Sequence, residues 1–578
     1  MKNSNENGSR RVRWANRYHA WRVAKTPAAT GFVSTPEPRT IGTVARGRQI
    51  LAGNLLFAGE LVEAPNTALW DVAMPTATFE AEAHGFTWLD DLAAVGEAKA
   101  GDIAAQWVHA WIARFPPAAQ PAWSPNLTGR RLIRWINNAI FVLRGQDKAL
   151  SDEFYKSLSV QTEYLARRWN ILAPGLPRFE ALVGMIYAGL ALEGMRHHVA
   201  PAMAALAADC EHLIDAGGAI ETRNPEELLD ILTLLTWVTQ SAEDAGQDPV
   251  PQVRAAVQRI GPTLRALRHA DGGLARFHGG GRGPDGKLDT ALAATGHKEM
   301  SEGPTAMGFA RLSAGRTSVI IDAAPPPSGV AAKRAHASTL AFELTSGRRP
   351  LIVNCGAGAS FGDRWARAGR ATPSHSVLCL EGLSSAQLPT TGDVLVGGPR
   401  DVQMERRRTD KAHVLEAAHD GWTRINGLTH IRALELSTDG RSLSGSDTLT
   451  TLSNEEKQRF DKALDATALQ GIAYTIRFHL HPDVEASLDM AGAAVSMVLR
   501  SGEIWVFRHD GTAQLSLEPS VYLERGRVSP RATMQIVLSA KAMAYASRIR
   551  WSLAKAQETP IAVRDIERAK DLDDLKTD

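Results

Sequence analysis

From about Leu61 to Arg268 apolar residues recur three and four positions apart, the spacing that lines one face of an α-helix. Pro, Gly or Asn interrupts them often enough to mark many helices of ordinary length. Leu132, Ile133, Ile136 and Ile140 form one inward stripe, Phe179, Leu182, Val183, Ile186 and Leu190 a second, and Leu228, Leu229, Leu232 and Leu235 a third. The period changes near Asp271. "DGGLARFHGGGRG" (residues 271–283) holds too much glycine for either regular element. Beyond it come short runs rich in β-branched and aromatic residues, among them "TSVIID", "TLAFELTSG", "PLIVNCG", "YTIRFHLHP" and "MQIVLSA". No long helical segment separates them, which argues against a parallel α/β sheet and predicts antiparallel pairing in a β-sandwich. The predicted order is a basic, partly disordered segment (1–60), a helical domain (61–270), a glycine-rich linker (271–305), a sandwich (306–560) and a charged tail (561–578).

Composition narrows the class. A chain of 578 residues is too long for one ordinary core, and 44% hydrophobic with 22% charged residues describes a folded protein, not a disordered one. The 65 basic and 63 acidic residues nearly cancel, so no overall field draws the chain to nucleic acid, which is excluded as a partner. The basic excess is local: residues 1–50 carry ten Lys or Arg against Glu6 and Glu37. Cys210, Cys355 and Cys379 are too few for a disulfide framework and lack the paired spacing of a thiolate zinc site. Arg10, Arg11, Arg13, Arg17, Arg22 and Lys25 are spread among polar residues, so no export signal is legible, and the apolar window Ala181–Leu192 is too short to span a bilayer. A cytoplasmic protein without a transmembrane segment is expected.

Several residues could carry chemistry. On a helix, Arg131, Arg134 and Asn138 of "RRLIRWINNAIF" share a face and could grip a carboxylate through paired hydrogen bonds; a solvated helix face is the plainer alternative. Glu180 and Tyr187 also share a face and could form a proton-transfer pair. Ten of the 14 tryptophans lie at or before Trp237, where they either stack on sugar rings or fill the core; Trp135 is the candidate stacking face. The β half concentrates histidines at His336, His375, His419 and His430, and alternation places Thr475, Arg477 and His479 on one strand face. Singly each histidine reads as structural; together they suggest a metal or proton-transfer cluster.

"RAHASTLAFELTSGRRPLIVNCGAG" (residues 334–358), "RATPSHSVLCLEG" (370–382), "HDGW" and "GLTHIRALEL", taken in that order, resemble the C-terminal domain of heparinase II/III-like proteins. "DGGLARFHGGG" and "GGAIETRNPEELLDIL" fit the same family, so the resemblance runs from about residue 60 to 550. It implies an α/α toroid, an incomplete barrel of helix pairs, followed by an antiparallel β-sandwich. It also implies β-elimination of uronic-acid-containing polysaccharide: the uronate carboxylate is neutralised, a base takes the adjacent proton, and an acid protonates the leaving oxygen. No redox cofactor is required. Some members hold zinc in the sandwich through two histidines and an aspartate.

Carried onto this chain, the resemblance makes His336 and His375 the catalytic candidates, with Arg334 beside them and Tyr187 as a replacement tyrosine. Arg131, Arg134, Trp135, Asn138, Glu180 and Arg223 are the substrate-binding candidates, and His336, Asn354 and His375 the zinc candidates. Four positions depart from the family pattern. Ser338 stands for the aspartate of "HAD", Asn354 for a ligand aspartate, Arg334 for a histidine, and "NPEE" (Asn224 to Glu227) for the "SP.Y" string that carries the catalytic tyrosine. A polysaccharide lyase is the leading expectation. The alternatives are a catalytically degenerate acidic-glycan-binding protein and a glycoside hydrolase using a carboxylate pair such as Glu180 and Glu221. An acidic polysaccharide or oligosaccharide is the expected partner, and homodimer formation stays open. By resemblance the location would be the periplasm or cell envelope, against the cytoplasmic expectation above.

Overall fold

The computed structural model of the chain describes residues 2–24, 26–33, 38–117, 119–248, 250–296, 298–301 and 303–556, and of residues 2–10 and 13 the backbone alone. The charged tail expected over 561–578 lies outside the described residues. The helical half is an α/α toroid. Helices Pro125–Asn137, Leu176–Ala191 and Pro225–Asp244 lie one against the next, and Lys148–Arg168, Val199–Leu213 and Pro251–Ala266 pack behind them. Proline in the first turn starts each of the three front helices, where its missing N–H costs nothing. At Gly129 the front helices touch backbone to backbone: a Cβ there would sit 2.5 Å from the Ala181 Cα. That contact explains a glycine inside a helix despite its poor propensity.

Most of these tryptophans are core, although Trp14 and Trp21 of the first helix are exposed. Trp88, Trp111, Trp123 and Trp135 are among the largest fully buried side chains. Trp111 packs edge-on against Trp135 at 5.4 Å, and Trp135 stacks on Phe154 at 5.4 Å.

Within 1–60, expected to be a basic and partly disordered segment, described residues pack on the toroid. Lys2–Val23 is a helix that buries Ala20 and Val23, and Asn16 accepts a hydrogen bond from the Arg168 guanidinium at 2.7 Å. Farther on, Arg39 reaches over the far end of the toroid to Gln240 and Asp244, and its N–H donates to the Asn137 side chain. Tertiary contacts across more than a hundred residues order this stretch, and its local sequence does not reveal them.

The second half is a β-sandwich of two eight-stranded antiparallel sheets among the described residues. One runs from the Gln514–Tyr522 strand through Ile472–Leu480 to Phe309–Ala314; the other runs from Val484–Asp489 through Ser442–Thr450 to Val402–Arg408. Phe342, Phe478, Phe507 and Trp551 fill the space between them, with Phe342 and Trp551 stacked at 5.8 Å. The stretch read as a linker is packed: Leu274, Ala275 and Phe277 are buried, and Lys287–Ala293 is helical.

Candidate functional site at the toroid–sandwich junction

The segment before the Pro225–Asp244 helix shapes the junction. Asn224 caps that helix, its side-chain oxygen accepting from the N–H groups of Glu226 (3.0 Å) and Glu227 (3.2 Å). Glu226 in turn accepts from Gly281 N–H at 2.8 Å and from Arg525 of the sandwich at 2.9 Å. A Cβ at Gly280 would come within 2.4 Å of the Asn224 oxygen, so the glycine string is there to let the loop lie against this cap. "NPEE" is a helix start that ties two domains, and this work occupies the place of the expected tyrosine.

Behind the cap lies a buried chain of imidazoles. His278, at φ +47° in the glycine-rich loop, accepts the His336 backbone N–H at 3.1 Å and stands 3.4 Å from Asp322. His336 Nδ1 is 3.1 Å from His375 Nε2, and His375 Nδ1 is 2.9 Å from the Ala371 carbonyl. All three rings are buried, and burial lowers the basicity of each, that of His375 to about 4. They are neutral hydrogen-bonding groups inside the protein. A second such pair, His419 and His430, continues to Asp447, which Arg432 holds through two hydrogen bonds.

Arg223 is a structural clamp and not a substrate-carboxylate ligand. Its guanidinium donates to the carbonyls of Met307 (3.1 Å), Pro325 (2.7 Å) and Gly308 (3.0 Å) and to the Asp322 carboxylate (2.5 Å). Ser338, in the place of the family aspartate, donates to the other Asp322 oxygen at 2.7 Å. Burial alone would raise the Asp322 pKa, but Arg223, His278 and Ser338 outweigh it and hold the carboxyl well below its usual range.

The other expected substrate ligands are also engaged. Arg131 is fully buried, donating to Gln161, to the His84 and Ala122 carbonyls and, more distantly, to Thr128; burial pushes its pKa down to about 9. Trp135 is core. Arg134 and Asn138 both turn to Asp90, at 3.4 and 2.8 Å, beside a cavity of about 400 Å³ at the far end of the front helices. Tyr187 lies at that end too, seven residues and about 10 Å along its helix from Glu180. Burial raises its pKa, and the groups that act on it, Ser241, Arg39, Asp244 and Arg134, belong to that end and not to the His336 cluster.

Nearer the sandwich, the toroid side chains that meet are one step away from those expected. Arg130, not Arg131, faces Glu180 and holds it by two hydrogen bonds of 3.0 and 3.1 Å. Asp230 lies close enough to act electrostatically on both Arg130 and Glu227, and Arg334 acts on Glu227 in turn. Glu227 is half-buried, and burial raises its pKa against the pull of Arg334. This chain of alternating charges was open to a sequence reading only as "RR" and "EE" doublets. Choosing within each doublet needs the helix phase, which a helix buried on most sides does not display.

The implied zinc site does not fit these residues. Asn354 is buried, its carbonyl accepting from Ser376 N–H at 3.0 Å and its amide turned to Glu343 at 3.4 Å. An amide with both ends in use is no substitute for a carboxylate ligand. The carboxylate near both rings, Asp322, is committed to Arg223 and Ser338. Among the described residues no third His, Cys, Asp or Glu joins His336 and His375 in a ligand group.

A helical toroid followed by a two-sheet antiparallel sandwich is the architecture of heparinase-like proteins. Residues 296–552 match the heparinase II/III-like C-terminal family model. A crystal structure of heparinase III superposes over 96% of this chain and 91% of its own, with a TM-score of 0.65 at 11% identity. A mutant of the heparan sulfate lyase HepC from Pedobacter heparinus does so over 95% and 89%, with a TM-score of 0.58 at 14% identity. At these identities the likeness establishes the fold. Among proteins of known name, the chain is 28% identical over 555 residues to the FtsZ-localized protein C of Caulobacter vibrioides, covering 93% of this chain and 92% of that one.

Proposed function

We propose that this protein uses the lyase fold to bind a carbohydrate chain and does not cleave it. The observation that carries the reading is the absence, among the described residues lining the junction, of a base suited to abstract the proton beside a uronate. His278, His336 and His375 are buried and mutually bonded, Arg334 offers a guanidinium, which donates hydrogen bonds and accepts none, and Tyr187 is at the other end of the toroid. Both Glu180 oxygens are bonded to Arg130, which weakens the hydrolase alternative, since neither is free to face a glycosidic bond. Because Arg130 and Arg525 already hold internal carboxylates, an acidic polymer would have to compete with Glu180 and Glu226, and modest affinity is expected.

The test is ultraviolet absorbance of the purified protein with heparin, heparan sulfate, alginate and other uronate polymers, alongside binding to the same panel. Elimination creates a conjugated double bond; a sustained rise in absorbance would overturn the proposal. Saturable binding without a rise, weakened by Arg334→Ala, supports it.

A second reading concerns place. The long match to an FtsZ-localized protein supports a role at the division site on the cytoplasmic side. No helix of the described residues is long and apolar enough to cross a membrane. Co-sedimentation with assembled FtsZ checks this reading, and recovery in the supernatant at all FtsZ concentrations would remove it.

A further inference from the structure

Away from the junction, the outer layer of the toroid brings two neighbouring imidazoles onto one carboxylate. Glu163 projects from the Lys148–Arg168 helix, and His197 and His198 sit in the tight turn Arg196–His198 that leads into Val199–Leu213. His198 Nε2 is 3.0 Å and His197 Nε2 3.6 Å from the same Glu163 oxygen, Oε1. The rings are 3.9 Å apart between centroids, and the three donor atoms all lie within 4.8 Å of one another.

The hydrogen bonds around the group argue for a cation at its centre. His197 Nδ1 is 3.0 Å from the Gly194 carbonyl, which can only accept, so Nδ1 carries the proton and a neutral His197 turns the Nε2 lone pair toward a carboxylate oxygen. Two electron-rich atoms facing each other are stabilised by a proton or a metal ion between them. A carbonyl that fixes one nitrogen while the other faces the centre is the usual outer arrangement of a metal-bound histidine. Arg167 takes the second Glu163 oxygen at 3.3 Å and leaves Oε1 to the two rings.

Distances and donor types select the ion. Donors at the corners of a tetrahedron with bonds of about 2.0–2.1 Å stand about 3.3–3.4 Å apart, and the 3.0 and 3.6 Å separations bracket that value. Two imidazoles and one carboxylate suit zinc or a neighbouring transition ion and do not suit magnesium or calcium, which take oxygen ligands. The His197 side chain is 62% exposed, so the fourth position opens to solvent. We propose that Glu163, His197 and His198 bind one zinc ion, with water as the fourth ligand, and thereby pin the turn before Val199–Leu213 to the Lys148–Arg168 helix. This site is independent of the junction and of any function assigned to it.

The experiment uses the full, tag-free chain, stripped with chelator and titrated with Zn²⁺ against a chromophoric competitor, with Co²⁺ absorbance as a second readout. One tight equivalent is expected, together with the visible bands of tetrahedral cobalt and a zinc-dependent rise in melting temperature. His197→Ala, His198→Ala and Glu163→Gln should each weaken that equivalent by more than about 100-fold, beyond what loss of an outer partner costs. His212→Ala, an exposed histidine outside the group, should leave it unchanged. The variants change partly exposed side chains, and their melting temperatures without zinc confirm that they fold. No saturable equivalent, or one that survives the His197→Ala/His198→Ala double substitution, would overturn the proposal.

Discussion

Replacing Arg223 tests how the two domains are joined. Arg223→Ala removes the donor to three sandwich-side carbonyls and leaves the Asp322 carboxylate, fully buried, without its cation. Breaking a buried pair in this way costs about 3–5 kcal/mol, most of it from the stranded charge. For a domain of roughly 250 residues that corresponds to a fall in melting temperature of about 6–20 °C. Differential scanning calorimetry and urea unfolding, followed by circular dichroism for the toroid and by hydrogen exchange for the sandwich, would measure it.

The pH dependence has a definite sign. In the wild-type fold the Asp322 pKa is lowered, so its contribution is present above the unfolded value of about 3.9 and lost as pH falls below it. Without Arg223, burial raises that pKa, so the variant loses stability as pH rises and its deficit narrows in acid. The double substitution Arg223→Ala/Asp322→Ala should cost less than Arg223→Ala alone. A deficit below about 1 kcal/mol, or a double variant whose cost equals the sum of the single ones, would refute the stranded-charge argument.

Two further outcomes follow from the junction. Because burial holds the folded-state pKa of His375 at about 4 against an unfolded value near 6.5, stability should decline as pH falls from 6.5 toward 4, and His375→Gln should flatten that slope in urea titrations at stepped pH. Asn354→Asp would restore the family's ligand type but set a carboxylate oxygen where the amide nitrogen now stands, 3.4 Å from the buried Glu343 carboxylate. The pair should share a proton, one pKa rising, so the variant should be destabilised by more than about 2 kcal/mol at pH 8 and less so at pH 5 in the same titrations.

The two halves were legible because each rests on a local period. Stripes such as Phe179, Leu182, Val183 and Ile186 bury one helix face, and the alternation of Ile472, Tyr474, Ile476 and Phe478 buries one strand face. The strings around His336 and His375 likewise carry the resemblance to heparinase II/III-like proteins, whose C-terminal family model matches residues 296–552, and both histidines do meet at 3.1 Å. The same strings could not say that the rings would be enclosed. His278, Asp322 and Ser338, which enclose them, come from two separate loops and one strand end.

What the sequence determined by itself is therefore the architecture and the identity of two junction residues, since periodicity and short motifs are properties of neighbours along the chain. Which of Arg130 and Arg131 pairs with Glu180, whether Arg223 binds a substrate or a carbonyl, and whether Tyr187 lies near the histidines were decided only by the tertiary structure. Each depends on the rotation of a helix that is buried on nearly every side, or on partners about a hundred residues away, and neither leaves a mark in the local sequence.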